Sequence, residues 1–82
     1  MTLGQKIHKL RKAKGWTLAR LAKEAEKSIY YWSKIENSKE LPSPTMILRL
    51  ATVFGVDSGE LMNLARFEKM AQAEKSIDAR YK

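Results

Sequence analysis

Apolar residues near the start of the chain recur at steps of three and four, which is the period of an amphipathic helix. Leu3, Ile7 and Leu10 follow this spacing. Thr2 stands immediately before them and can cap the helix with its hydroxyl group. The spacing therefore predicts a first helix over residues 2–14.

Two shorter apolar-periodic segments follow the first. Thr17 can cap a second helix that ends near Ala25, and Ser28 can cap a third helix that runs to about Asn37. Only two residues separate the second helix from the third. We therefore expect these two helices to form a compact two-helix unit.

A proline-bounded segment opens the second half of the chain. Ser43 followed by Pro44 is typical of an N-cap and a first helical position, and Gly55 can end the resulting fourth helix. Asp57 and Glu60 have capping-box spacing, which predicts the start of a fifth helix. No alternating strand pattern occurs, so the expected fold is all-α, a compact bundle of four to five short helices.

The last seventeen residues contain no glycine or proline, so the fifth helix is expected to extend into them. Phe67, Met70, Ile77 and Tyr81 fall roughly on one stripe of this extension. The chain is accordingly divided into one domain over residues 1–65 and a C-terminal helical extension over residues 66–82. The stripe is a candidate dimerisation surface, and a tail that packs on its own core or frays is an equal alternative.

The aromatic residues near the middle of the chain divide between two faces of the third helix. Trp32 and Ile35 share one face and are expected in the core, where Trp16 is also expected. The other face carries little that needs burial, and it holds Ile29, Tyr30, Ser33, Lys34 and Asn37.

Composition changes this picture mainly by exclusion. A chain of 82 residues forms one domain with one small core. It has no apolar run near the roughly 18 residues of a membrane span, no signal-peptide core and no cysteine. A cytoplasmic protein is expected, without a membrane partner.

The positive charge is concentrated near the N-terminus. The net charge is +7, and residues 1–27 hold eight basic against two acidic side chains, which is +6. Basic side chains that displace condensed counterions gain affinity for phosphate backbones. A nucleic acid partner is therefore favoured, while a solvated basic face that aids solubility remains the alternative.

The sequence holds no recognisable catalytic constellation. It has no nucleophile and base pair, carboxylate dyad, glycine-rich phosphate loop or metal-ligand cluster. The single histidine, His8, lies among lysines and is expected on the surface near phosphate. We expect no enzyme activity, no metal, no cofactor and no small-molecule substrate.

A short helix, a tight turn and a second helix with outward polar side chains is the helix-turn-helix arrangement, whose second helix fits the major groove. Residues 3–64 resemble the Cro/C1-type helix-turn-helix domain (XRE family, lambda repressor-like). The resemblance rests on an ordered series, namely Arg11, Gly15, Thr17, Leu21 with Ala22, Ile35 with Glu36, Pro42 with Ser43, Leu50 with Ala51, then Gly55, Val56 and Leu61.

The resemblance implies a function and a set of site residues. It implies a sequence-selective double-stranded DNA-binding protein that acts as a repressor-like transcriptional regulator, with residues 28–36 as the recognition helix. Base edges or nearby phosphates would be met by Ile29, Tyr30, Ser33 and Lys34. Arg11 would pair with Glu36 as a structural salt bridge.

Phosphate contacts are expected on both sides of this helix. Thr17, Ser28, Asn37 and Lys39 offer polar side chains, and Leu18 offers its backbone N–H through the helix dipole. For Asn37 and Lys39, simple solvation of a loop is the alternative.

The chain departs from the family in the turn before the recognition helix. Glu26 and Lys27 stand where the family usually has glycine and an apolar residue. A left-handed backbone at Glu26 would cost about 1 kcal/mol.

Two functions are compatible with the sequence. A single small DNA-binding domain contacts few base pairs, so a homodimer that binds two DNA half-sites is expected. The alternative is a protein–protein interaction module that keeps the fold but docks through Ile29 and Tyr30, since aromatic residues also suit protein interfaces.

Overall fold

The described residues form five α-helices and include no strand. The structure is a computed structural model that describes residues 1–81, with side chains for residues 1–71. The helices are α1 (Leu3–Ala13), α2 (Leu18–Glu24), α3 (Ile29–Glu36), α4 (Pro44–Phe54) and α5 (Ser58–Tyr81). The predicted all-α fold of five helices is confirmed.

Four helix starts are fixed by hydroxyl caps, as the sequence predicts. The side chains of Thr2, Thr17, Ser28 and Ser43 each accept a hydrogen bond from the backbone N–H three residues later. This bond satisfies one of the donors that a helix leaves unpaired at its N-terminus. In α1 the side chain of Gln5 completes a capping box.

The core lies between the helix pairs that pack on one another, namely α1 with α3, α2 with α3, α4 with α5 and α1 with α5. Trp32 is fully buried in it. Burying such apolar side chains supplies most of the driving force for folding. The other buried apolar side chains are Leu3, Ile7, Leu21, Ala25, Ile35, Met46, Ile47, Leu50, Ala51, Phe54 and Leu61.

α1 and α3 approach closely because glycine stands at their contact. A Cβ atom added to Gly4 would lie 2.3 Å from the carbonyl oxygen of Ile35 and 2.8 Å from that of Glu36. The hydroxyls of Thr2 and Ser38 lie 3.0 Å apart across the same contact. The C-terminal end of α3 is therefore held against the start of α1.

The turn between α2 and α3 has the left-handed backbone considered from the sequence. Glu26 adopts φ 55°, which is unusual for a residue other than glycine. Its carboxylate lies 2.6 Å from Nη1 of Arg49 on α4. This ion pair ties the turn to the neighbouring helix.

α5 extends well beyond its contacts with the core. Leu61 is buried, whereas Phe67 and Met70 are exposed by 75% and 59%. The predicted extension of the helix into the tail is confirmed. The side chains of Ile77 and Tyr81, the rest of the predicted stripe, lie outside the described residues. Within the described part of the chain, no helix is both long and apolar enough to cross a bilayer.

Candidate nucleic-acid interface

The two faces of α3 differ sharply in exposure. Trp32 and Ile35 are buried, while Ile29 and Tyr30 are exposed by 51% and 73%. The short α2–α3 turn and the buried face together fix the orientation of the outward face. α3 therefore presents an aliphatic group and a phenol ring to solvent.

Lys34 lies beside Tyr30 on this outward face. Its Nζ atom is 5.2 Å from the centroid of the Tyr30 ring. The same nitrogen is 3.8 Å from a carboxylate oxygen of Glu40, which belongs to the segment after α3. The ammonium group is thus held between an aromatic ring and a carboxylate.

Hydroxyl caps mark the N-terminal ends of α2 and α3. Thr17 Oγ1 accepts a hydrogen bond of 3.1 Å from the Arg20 N–H, and Ser28 Oγ accepts one of 3.0 Å from the Tyr31 N–H. Both residues are exposed. The backbone N–H groups at these ends are of the kind that bind phosphate.

The side chain of Leu18 faces the core and does not offer a contact to DNA. It is half-buried and packs against the core. A contact with an external anion would therefore come from its backbone N–H in the first turn of α2.

The polar residues around the C-terminal end of α3 differ in their hydrogen bonding and in their exposure to solvent. Asn37 donates from its side-chain amide to the Ser33 carbonyl oxygen at 2.9 Å, so it caps its own helix. Ser33 is half-buried, whereas Asn37 and Lys39 are exposed.

A buried ion pair links α1 to the end of α3. Arg11 donates from Nε to Glu36 Oε2 at 2.7 Å and from Nη2 to Oε1 at 3.0 Å. Its Nη1 donates to the Trp16 carbonyl oxygen at 2.8 Å. Only 8% and 7% of the two side chains is exposed. This two-point contact orients α3 relative to α1.

His8 joins this ion pair. Its Nδ1 atom lies 2.8 Å from Oε1 of Glu36, although half of the imidazole side chain remains exposed. The sequence predicted a surface histidine near phosphate. The surface position is confirmed, and the ring nitrogen Nδ1 also contacts Glu36 of the α1–α3 link.

Two pKa values in this region are displaced. Hydrogen bonding to Glu36 raises the pKa of the Arg11 guanidinium, and burial opposes part of this rise. Burial raises the pKa of the Tyr31 phenol, and the negative charge of Glu40 raises it further. The Glu40 carboxylate acts on this phenol because it lies close to α3, where it contacts Lys34.

Trp16 lies at the edge of the core, and its predicted burial there is only partly right. The ring is half-buried and packs on Phe54 with a centroid separation of 5.8 Å. Lys14 and Arg20 lie over it at 5.4 and 5.0 Å. Such cation–π contacts hold two positive charges near the start of α2.

Sequence patterns missed several residues that shape this surface. Ser38 adopts φ 59° just after α3, and Glu40 reaches back to Lys34. Neither residue belongs to a helical period, so no spacing could indicate these contacts. Among the described residues, no group of three or more acidic or histidine side chains could hold a metal ion.

Comparison with known proteins agrees with this geometry. A family model described as a helix-turn-helix domain matches residues 2–65. No curated protein sequence matches the chain significantly.

Several solved structures have the same fold. The master regulator for biofilm formation SinR, crystallised in complex with DNA, is 32% identical over 74% of this chain and 98% of its own, with a TM-score of 0.69. The N-terminal DNA-binding domain of SinR from Bacillus subtilis is 33% identical over 73% of this chain and 88% of its own, with a TM-score of 0.67.

A further relative covers nearly the whole chain. The clp gene regulator ClgR from Corynebacterium glutamicum is 25% identical over 96% of this chain and 84% of its own, with a TM-score of 0.68. The family model spans most of the chain, and two of the solved structures exceed 30% identity. The chain therefore belongs to the helix-turn-helix domain family.

Proposed function

We propose that the protein binds double-stranded DNA with sequence selectivity and acts as a repressor-like transcriptional regulator. The observation that carries this proposal is the outward face of α3, where Ile29 and Tyr30 are exposed while Trp32 and Ile35 anchor the opposite face. An α-helix presented in this way fits the major groove. SinR, a relative with the same fold, has been crystallised with DNA.

Residues 28–34 enter the major groove in this proposal. Lys34 supplies a strong hydrogen-bond donor, Ile29 packs on a thymine methyl group, and Tyr30 bonds a base or a phosphate. Ser33 lies at the border of this surface. The usual bidentate pairs of arginine with guanine and of asparagine or glutamine with adenine are absent from this set, so discrimination between sequences is modest.

Phosphates are bound on either side of α3. Thr17, Ser28, Asn37 and Lys39 contribute side chains, and Leu18 contributes its backbone N–H. The Asn37 amide nitrogen donates to the Ser33 carbonyl oxygen at 2.9 Å and lies 3.5 Å from Ser33 Oγ, and the proton of the longer contact can turn to a phosphate instead. The net charge of +7 supports binding through counterion release.

The protein acts as a homodimer in the cytoplasm and carries out no catalysis. One recognition helix contacts too few base pairs to specify a site, so two copies of the protein bind DNA half-sites about one helical turn apart. The exposed Phe67 and Met70 on α5 supply apolar area for the dimer contact.

Selection of bound sites from random duplexes tests the DNA proposal. Recovered sites should share a short motif repeated with two-fold symmetry. Tyr30→Ala and Lys34→Ala should relax the preference for that motif, whereas Lys39→Ala should weaken binding to all duplexes alike. Recovery of unrelated sequences by the unmodified protein would contradict sequence selectivity.

A protein-docking function remains a second candidate because Ile29 and Tyr30 form an exposed apolar pair. The dependence of binding affinity on salt concentration distinguishes the two functions. DNA affinity should fall steeply with added salt, whereas an apolar protein contact should barely change. An absence of salt-dependent duplex binding would favour docking.

The dimer proposal has its own test. Sedimentation of the unmodified protein should give a dimer, and Phe67→Lys with Met70→Lys should give a monomer of unchanged helical content. A dimer that survives both substitutions would place the contact elsewhere.

A further inference from the structure

The proposed DNA surface includes the carboxylate of Glu40. Glu40 follows Lys39 in the segment after α3, and Lys39 is proposed to grip phosphate. A negative charge at that position repels a phosphate backbone.

The contacts of Glu40 indicate what it does in the free protein. Its carboxylate lies 3.8 Å from Lys34 Nζ, and the same ammonium group sits 5.2 Å from the centre of the Tyr30 ring. Lys34 is therefore engaged on both sides before any duplex arrives. The Lys34 and Glu40 side chains are 36% and 47% exposed, so this ion pair is weak and separable.

We infer that Glu40 is a positioning residue that holds Lys34 in a competing ion pair and thereby lowers affinity for DNA. A base contact requires Lys34 to leave Glu40 and reach an acceptor in the groove. The free energy of the ion pair is then lost on binding, whereas on a duplex without such an acceptor Lys34 can remain with Glu40. Glu40 would thus weaken binding most where Lys34 finds a base partner, which narrows the difference in affinity between duplexes.

This inference rests on the proposed DNA binding and is tested with the whole chain. The probe is a duplex selected by the unmodified protein, with a base-scrambled duplex beside it. Glu40→Gln should tighten binding about two- to fivefold, the range expected for loss of an exposed ion pair. The selected duplex should gain more than the scrambled duplex, so the ratio of the selected to the scrambled affinity should rise.

A matched control distinguishes an effect of the position of Glu40 from an effect of the net charge. Glu60→Gln raises the net charge by the same amount, but Glu60 pairs with Lys6 at 2.9 Å where α5 meets α1. It should change affinity less than Glu40→Gln does. In a Lys34→Ala background, Glu40→Gln should lose most of its effect, because the competing pair no longer exists.

The outcomes distinguish the inference from the function beneath it. Equal effects of Glu40→Gln and Glu60→Gln, or an undiminished Glu40→Gln effect without Lys34, would overturn the role of Glu40 while DNA binding stands. Failure of the unmodified protein to bind any duplex in a salt-dependent way would overturn both.

Discussion

The ion pair of Arg11 with Glu36 fixes the position of α3, the helix that carries the proposed DNA-binding surface. Their side chains are almost fully buried, and two hydrogen bonds join them. A buried charge is tolerated only when a partner and good geometry offset the loss of hydration. Because Glu36 ends α3, the pair sets where that helix lies against α1.

Breaking this pair on one side should destabilise the protein strongly. Arg11→Met leaves the Glu36 carboxylate buried without its main partner, and we expect a loss of about 3 kcal/mol in the free energy of unfolding. Denaturant unfolding measures it. Arg11→Met with Glu36→Leu removes both charges and should recover at least half of that loss, and a double variant as unstable as the single would contradict the account.

Tyr31 gives the protein a predictable response to alkaline pH. Because the pKa of its phenol is raised in the folded state, the unfolded chain loses this proton first as the pH rises. The associated stability is complete below about pH 10, the ordinary tyrosine pKa, and is lost above it. Tyr31→Phe should show a shallower loss of unfolding free energy above pH 10, and identical slopes would contradict the assignment.

The arrangement of the helices depends on one close approach and one strained turn. α1 contacts α3 at Gly4, where backbone carbonyl groups occupy the space of a side chain. The α2–α3 turn passes through Glu26 with positive φ. The first feature sets the depth at which α3 sits, and the second sets its angle to α2.

Gly4→Ala should force α1 away from α3. The added methyl group meets two backbone oxygens closer than 3.0 Å, and neither can rotate aside. Overpacking of this kind outweighs the gain in helix propensity, so we expect a net loss of about 2 kcal/mol. Lys9→Ala, on the exposed side of α1, is the control and should change unfolding by less than about 0.5 kcal/mol. Equal effects would show that the contact is not tight.

Substitutions at Glu26 should separate backbone strain from the ion pair with Arg49. Glu26→Ala loses the pair and keeps the strain, whereas Glu26→Gly loses the pair and relieves the strain. Glycine should therefore be more stable than alanine by about 1 kcal/mol in denaturant unfolding. Equal stability of the two variants would indicate a turn that relaxes to negative φ.

Across the whole molecule, the features that could be predicted are those that depend on neighbouring residues in the sequence. Thr17, Ser28 and Ser43 act as caps, and Gly55 ends α4 in the left-handed conformation, because capping depends on neighbouring residues alone. The family resemblance to helix-turn-helix domains is confirmed by the match over residues 2–65. The DNA contacts of individual residues stay predictions.

The family resemblance implied one contact between separate segments, the Arg11–Glu36 pair that the structure contains, but other such contacts were not predictable. His8 turned to Glu36, Glu40 paired with Lys34, and the Leu3 N–H donates to Glu68 on α5. Trp16 sits at the edge of the core under two cations, since its place depends on where α4 packs. These positions follow from tertiary packing, which no periodicity encodes.

The outward face of α3 must enter the groove if the account is right, and backbone amide mapping by NMR during titration with a selected duplex tests this directly. The largest shifts should fall on Ile29–Lys34 and on the start of α2 at Thr17 and Leu18. Exposed residues of α5 such as Phe67 should shift least. Shifts confined to α5, with α3 unchanged at saturating duplex, would contradict the account.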